Sequence, residues 1–559
     1  MERNAWIIIA ALAAVSIILA GLLAASLVGL IGGVPEKIPK RLSLNLWWPI
    51  AHYGDTEPDI AAILESSLEA TGRIDVTLQS AEWATYVDQF SNSQMGMFLL
   101  GWYPDFFDAD NYIQPFLSTG GAASLGSDYS DPLMDLAILN SRTSFGDQRN
   151  AVFAEIQQKL AEDAIYIPLF QGNQHVVYQD DVTGVVLEPV RSFRYDQIQK
   201  PGEATLRVGT TDRVVTLDTA DAYDYFSVEL SDHIFEKLLD YEPGTANLIP
   251  SLAMEVPSTA NGLISADGMT YTFNIRPGVT FHDATALDAA AVAFSLNRAR
   301  TLGGDPGFLL DIISDVQATG PMEVTVTLNN PFTAFNALMA FSVAAIVSPT
   351  AYPSDDFRSG LDANVPIGTG PYMLESGNYQ ADQRATLTRN PNYWGTPAKH
   401  ATVQVNLISD ATALKTQIET GQIHVAFRTL NPADLLDLQT RASSLGLTVE
   451  IGTSPFIRYI VFNVLTPPFD NVWVRRAIAA AVDRGEIVAQ VFEDLAFPLY
   501  SMIADIFDES TAAFLAEYGP TPDIAQANGY LDNYFDSLEE ALGQPGLFSD
   551  LILPTREAS

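Results

Sequence analysis

The chain has 559 residues, a formal net charge of -39 and no cysteine. Such a charge repels a phosphate backbone and argues against nucleic-acid binding. The missing cysteines exclude disulfides, thiolate metal sites and a cysteine nucleophile. With 47% hydrophobic and 17% charged residues the chain is built to fold, and its length calls for two or three lobes around separate cores.

From Ala5 to Pro35 no charged residue occurs, and 5–34 reads as a transmembrane anchor, since a helix of ~20 residues crosses a bilayer. A cleaved secretory signal, with a shorter apolar core of ~7–15 residues, is the alternative. Counting Arg3 against Lys37, Lys40 and Arg41 would leave the large domain in the cytoplasm by the positive-inside rule. Next, Arg41 to Pro49 alternates like a strand, Asp59–Thr71 reads as a helix closed by Gly72, and Arg73 to Ser80 alternates again. Glu82 to Phe116 holds Trp83, an apolar strand Met97–Leu100, and then GWYPDFFDADNY, Gly101 to Tyr112. An amphipathic helix Asp147–Asp163 and a short apolar strand Ile165 to Gly172 complete an α/β pattern. A polar linker, Gln197–Gly202, precedes a fresh strand from Thr205 and a helix expected through His233 to Tyr241. Met269 to Arg300 gives strand, turn and helix; the tail from Ile503 to Ser559 is helical and acidic.

Indole faces supply broad apolar contact, and a partly desolvated carboxylate can hold a cationic group, so Trp83, Trp102 and Asp105 are candidates for the lip of a ligand pocket. A buried strand with a capped turn explains the same residues equally well. The glycines of GTGPY, Gly368 to Tyr372, lack the lysine and following helix of a phosphate loop. Asp105, Asp108, Asp110 and Asn111 lack the central glycine and terminal glutamate of a calcium loop, so no metal is expected. Six histidines stand singly, and no GxSxG elbow supports a serine nucleophile. No catalytic set assembles, and no cofactor is expected.

Several blocks in one consistent order resemble the family of extracytoplasmic solute-binding proteins that feed dipeptide and oligopeptide ABC importers. They are Leu206 to Tyr241, Tyr271 to Arg300 (with Ala284 where a glycine is usual), PIGTGPY, RNPNYW, FNVLTPPFDN and VRRAIAAAVDR, together with Glu82–Phe116 and YIPLFQG. The resemblance implies an α/β, two-lobed periplasmic-binding-protein type II fold with an extra subdomain in the first lobe, besides the N-terminal transmembrane helix. The first lobe would use 171–222 (hinge return, linker and start) and 359–455, the subdomain 223–358, and the second lobe 42–170 with 456–559. A solute, peptide or otherwise, would bind between lobes that close on a hinge, and a membrane permease would accept the closed form. It implies a monomer, anchored with the large domain extracytoplasmic, against the charge count; secretion after cleavage is the alternative. By the same resemblance Trp83 and Trp102 match pocket tryptophans and Asp105 the partner of a ligand α-amino group. Tyr103, Arg458 and Asn463 complete the expected ligand-binding set. The strand before Gly101 reads MFLL where some peptide binders carry an arginine, which leaves Arg458 as the candidate for a ligand carboxylate. An enzyme such as a hydrolase, or a sensor that no longer transports, are the competing functions.

The block order is changed. Blocks like 205–500 come first in the family and blocks like 42–170 last. Circular permutation, with old termini joined near Gln197–Ala204, is the most economical account; a gene-model artefact and pieces of two tandem proteins are the others. Permutation requires Arg41 and Ser559 in one lobe, with strands from both chain ends in one sheet.

Overall fold

The computed structural model describes residues 38–549 except 51, 191–192 and 359–364. The anchor expected over 5–34 lies outside the described residues, as does Ser559. Among the described residues no helix is long and apolar enough to cross a membrane.

Ten strands form the path of the main sheet: β1 (Leu42–Ile50), β2 (Ile74–Glu82), β3 (Met97–Trp102), β4 (Tyr166–Gln179), β5 (Thr205–Thr210), β6 (Tyr372–Gln380), β7 (Arg384–Arg389), β8 (Thr402–Leu407), β9 (Val425–Phe427) and β10 (Leu447–Phe462). Their order is β6-β7-β8-β5-β9-β4-β10-β3-β1-β2, and the short strand Phe497–Pro498 pairs with β4. The strands read as the pleat demands. Leu44 and Leu46 of β1 point inward while Ser43 and Asn45 face out, whereas Met97 to Leu100 of β3, covered on both faces, are all buried.

The long pair β4 and β10 organises the molecule. Its Tyr166–Gln171 stretch pairs with Ile457–Val461, and its Asn173–Gln179 stretch with Leu447–Thr453. The register breaks between Thr453 and Ile457, opposite Gly172, where a side chain would press on the Phe456 ring at 3.2 Å. On one side of this break a core gathers Leu46, Phe98, Phe116, Ile167 and Tyr459 with Ile478, Leu531 and Phe548. On the other, Val176, Leu206, Phe235, Val347, Val405 and Phe427 form a second core, and residues largely from 220 to 346 form a third.

Both ends of the described chain enter the first of these cores. Ile38–Pro39 pairs in parallel with Phe548–Ser549, and Asp532 on the helix Ile524–Leu542 takes Lys40 at 3.1 Å and Arg73 at 2.7 Å. The tail is helical only over Ala513–Tyr518 and Ile524–Leu542; residues 503–512 are not helical, and the described chain ends in the strand Phe548–Ser549.

Two expectations need correction. The helix expected over His233 to Tyr241 ends instead at Ser231, and Leu239–Tyr241 is a strand. Backbone partners from elsewhere outcompete the helix. The carbonyls of His233, Ile234, Glu236 and Leu238 accept from Tyr372, Gly370, Ile346 and Ser251. The polar stretch Gln197–Gly202 is not a free linker. Gln199 exchanges backbone hydrogen bonds with Thr183 at 2.8 and 2.9 Å, and Lys200 N–H donates to His400 Nε2 at 2.8 Å.

Candidate functional site

Strand directions locate the gap between the two halves. β3 lies antiparallel to β10 and therefore parallel to β4, which runs from the first core into the second. β1 and β2 run with β3, so all three carry their C-terminal ends, at Ile50, Glu82 and Trp102, toward the register break. β9 runs antiparallel to β4 and parallel to β5 and β8, so these three bring their C-terminal ends, at Phe427, Thr210 and Leu407, toward the same break from the other side. The crevice outside the carboxyl ends of parallel strands is where open α/β sheets place their ligands.

On the β1–β3 side, Trp83 opens the helix Trp83–Ser91 and stacks on His52 at 3.4 Å, the rings 3° apart. Trp102 Nε1 donates to Asn111 Oδ1 at 3.1 Å, with its edge against Phe116. The same Asn111 oxygen accepts from Asp105 N–H at 2.8 Å, and Asn111 Nδ2 donates to Asp105 Oδ2 at 3.2 Å. One asparagine thus ties the indole and the carboxylate into a single turn. Asp105 is buried and crosses the gap: Tyr223 Oη donates to its Oδ2 at 3.2 Å. Two residues back, Tyr103 Oη donates to the Val190 carbonyl at 3.1 Å and its ring meets Tyr225 edge-on. The neighbouring acids are engaged. Asp110 takes Arg142 at 2.7 Å, and Asp108, whose carboxyl burial pushes up to about 6, takes Arg149.

Arg458 and Asn463 are placed differently. Arg458 is 2% exposed, ion-paired with Glu57, and its guanidinium lies 3.8 Å from the Tyr53 ring centre. Asn463 follows Phe462, which pairs with Met97 at the far end of β3, while Trp102 pairs with Ile457. Six residues of strand separate the two, ~20 Å. Asn463 there donates to Asp128 at 2.8 Å, a turn-holding role remote from Asp105.

The facing side carries residues that the sequence reading did not single out. Arg428, just past β9, pairs with Asp212, just past β5, and lies 3.7 Å over the Tyr225 ring. Glu229, its carboxyl pushed up to about 7 by burial, accepts from Tyr195. No spacing in the sequence marks Arg428; a position one residue beyond a short strand of a parallel set was the available signal. Between the two sides a cavity of about 20 Å³ touches Asp105, Val190, Lys237, Tyr241, Phe341 and Ser342. It has room for about one water, and the bonds from Tyr223 to Asp105 and from Tyr103 to the Val190 carbonyl bring the two sides into contact beside it.

Two α/β halves thus meet at paired crossing strands, with a buried acid among aromatic rings at the junction. The family model for bacterial extracellular solute-binding proteins, family 5 middle, matches residues 33–124 and 247–534, well over half of the chain. The chain belongs to that family. It is 31% identical over 338 residues to the glutathione-binding protein GsiB of Salmonella paratyphi A, covering 58% of this chain and 61% of that protein. GsiB of Pectobacterium atrosepticum is 29% identical over 342 residues, with 60% and 63% covered. The chain thus spans about three-fifths of the length of these relatives. Among solved structures, the periplasmic binding protein DppA of Helicobacter pylori in complex with the peptide STSA is 20% identical, covering 59% of this chain and 65% of that one, with a TM-score of 0.46.

Proposed function

We propose that the chain is the solute-binding receptor of an ABC importer, taking peptides or a related small solute between its two halves and closing on them. The observation that carries this is Asp105: a buried carboxylate, set by Asn111 beside Trp102, on the face where the halves meet. A solute ammonium buried there needs a charged partner, and an acid among aromatic rings supplies it. Trp83 and Tyr103 line the same edge. The closed state has contacts the open state lacks, which is what a solute that bridges the halves exploits.

In this reading the second lobe is 42–170 with 456–559, the first lobe 171–222 with 359–455, and the extra subdomain 223–358; the first core supports the second lobe, while Phe226, Phe235 and Val347 pack with the first lobe. The block order reflects circular permutation, supported by the entry of both described ends into one core. The receptor works as a monomer, held by the segment 5–34 with the large domain outside the cytoplasm, and hands solute to a permease. Catalysis is not part of the reading, since the relatives are binding proteins.

Calorimetric titration with a panel of dipeptides, glutathione and sugars tests this. Peptide or glutathione binding that collapses in Asp105→Asn supports it. Solute binding unaffected by Asp105→Asn, or turnover of any panel member, rejects it. Protease accessibility of the large domain on intact cells decides the anchoring.

A further inference from the structure

Resting on that reading, we infer that Arg428 is the residue that binds a carboxylate of the solute, from the lobe opposite Asp105. Four observations converge on it.

The first is position. Arg428 stands one residue past β9, the strand of the parallel set adjoining the crossing strand β4, so it lies at the floor of the gap. The second is backbone conformation. Arg428 and Thr429 have φ of 40° and 66°, a left-handed pair in two non-glycine residues, one of them β-branched. The turn is held open by bonds that do not use the guanidinium. Arg428 N–H donates to the His175 carbonyl at 3.0 Å, Leu430 N–H to His175 Nε2 at 3.3 Å, and Thr211 N–H to Thr429 Oγ1 at 3.3 Å. Burial first, and then Arg428, hold the His175 imidazole down at about 4, so that ring stays neutral and able to accept. Strain of this kind persists where the surroundings over-determine it, and it concentrates at ligand clamps.

The third observation is unspent donor capacity. Asp212 engages Nη2, while Nε is buried with no hydrogen-bond partner among the described residues. A buried guanidinium donor left unpaired is costly, and a bidentate carboxylate is the group whose geometry matches the fork. The fourth is reach. Tyr225, under Arg428, and Tyr223, bonded to Asp105, flank Asp224 in extended conformation, which sets their Cα atoms ~7 Å apart. The Tyr225 ring under Arg428 also meets the ring of Tyr103, two residues from Asp105, so the acid and the arginine are joined through one aromatic cluster. Arg458 also has a buried nitrogen, Nη1, with no hydrogen-bond partner among the described residues, but its side chain is 2% exposed against 23% for Arg428, so a solute reaches only the latter.

The test is calorimetry on the full receptor with Ala-Phe and its C-terminal amide. Wild type is expected to favour the free acid by ~10- to 100-fold, the worth of one charge-assisted hydrogen-bonded contact. In Arg428→Met the acid falls to the level of the amide, and the amide is unchanged; Arg428→Lys is intermediate because it loses the fork. Asp212→Asn, which removes the competing carboxylate, tightens the acid. Equal weakening of acid and amide in both Arg428→Met and Asp212→Asn indicates a merely structural arginine and overturns the inference. So does an acid preference that survives Arg428→Met. If wild type binds neither probe, the peptide reading itself fails, and the assignment to Arg428 falls with it.

Discussion

Each side of the gap carries an arginine laid over a tyrosine and paired with a carboxylate, and the two are not equivalent. Arg458 sits 3.8 Å from the Tyr53 ring with Glu57, the side chains 2% and 1% exposed. Arg428 sits 3.7 Å from the Tyr225 ring with Asp212, the side chains 23% and 25% exposed. The same three groups serve as a sealed strut in one place and as an accessible clamp in the other. Water access makes the difference. A fully desolvated pair cannot give up a partner without stranding a charge, whereas a half-open pair exchanges partners at modest cost.

The comparison breaks most sharply through the strut. Glu57→Ala strands the Arg458 charge and is expected to cost about 3–5 kcal/mol in chemical denaturation, whereas a Glu57→Met, Arg458→Leu double variant recovers most of it. Asp212→Ala in the half-open pair is expected to cost less than Glu57→Ala by the same measurement. Equal losses would erase the distinction.

A pH effect sharpens the accessible side. Glu236 accepts from Trp394 at 2.9 Å, Tyr393 at 3.0 Å and Thr369 at 2.7 Å, so the PIGTGPY and RNPNYW blocks converge on one acid. Burial, against these donors, pushes its carboxyl up to about 7 from 4.5. The folded state then holds a proton that the unfolded state releases. Stability from this group is present below about pH 4.5 and is lost as pH rises through about 7, on the order of 3 kcal/mol in all. Glu236→Gln should flatten that part of the stability profile, and an unchanged slope between pH 5 and 7.5 would reject the assignment.

Smaller effects concern the contacts across the gap. Asp105→Asn is expected to weaken a solute with a free amine by ~10- to 100-fold and leave its N-acetyl form unaffected, read by calorimetry. Tyr103→Phe removes the bond to the Val190 carbonyl, worth about 1 kcal/mol, and should shift the open–closed balance of the unliganded protein by ~5-fold toward open. Fluorescence transfer between labels on the two halves measures it.

Much of this was legible in the sequence because the signals are local. The alternation of β1, the apolar run of β3 and the amphipathic helix Gly146–Asp163 each carry their period within a few residues. The Gly-Trp-Tyr-Pro-Asp turn announced Trp102 and Asp105 for the same reason. The stretch from His233 to Tyr241 was misread as a helix because its backbone partners come from residues 251, 346, 370 and 372, which no local pattern can display. Arg458 looked available because Glu57, its partner, is 401 residues away.

The sequence by itself determined the α/β class, the family and the aromatic acid turn, since each depends on neighbouring residues and side-chain period. Only the tertiary structure decided which arginine is sealed and which reaches the gap. That depends on how two distant halves of the chain exclude water from a given pair, and desolvation is a property of the packed assembly.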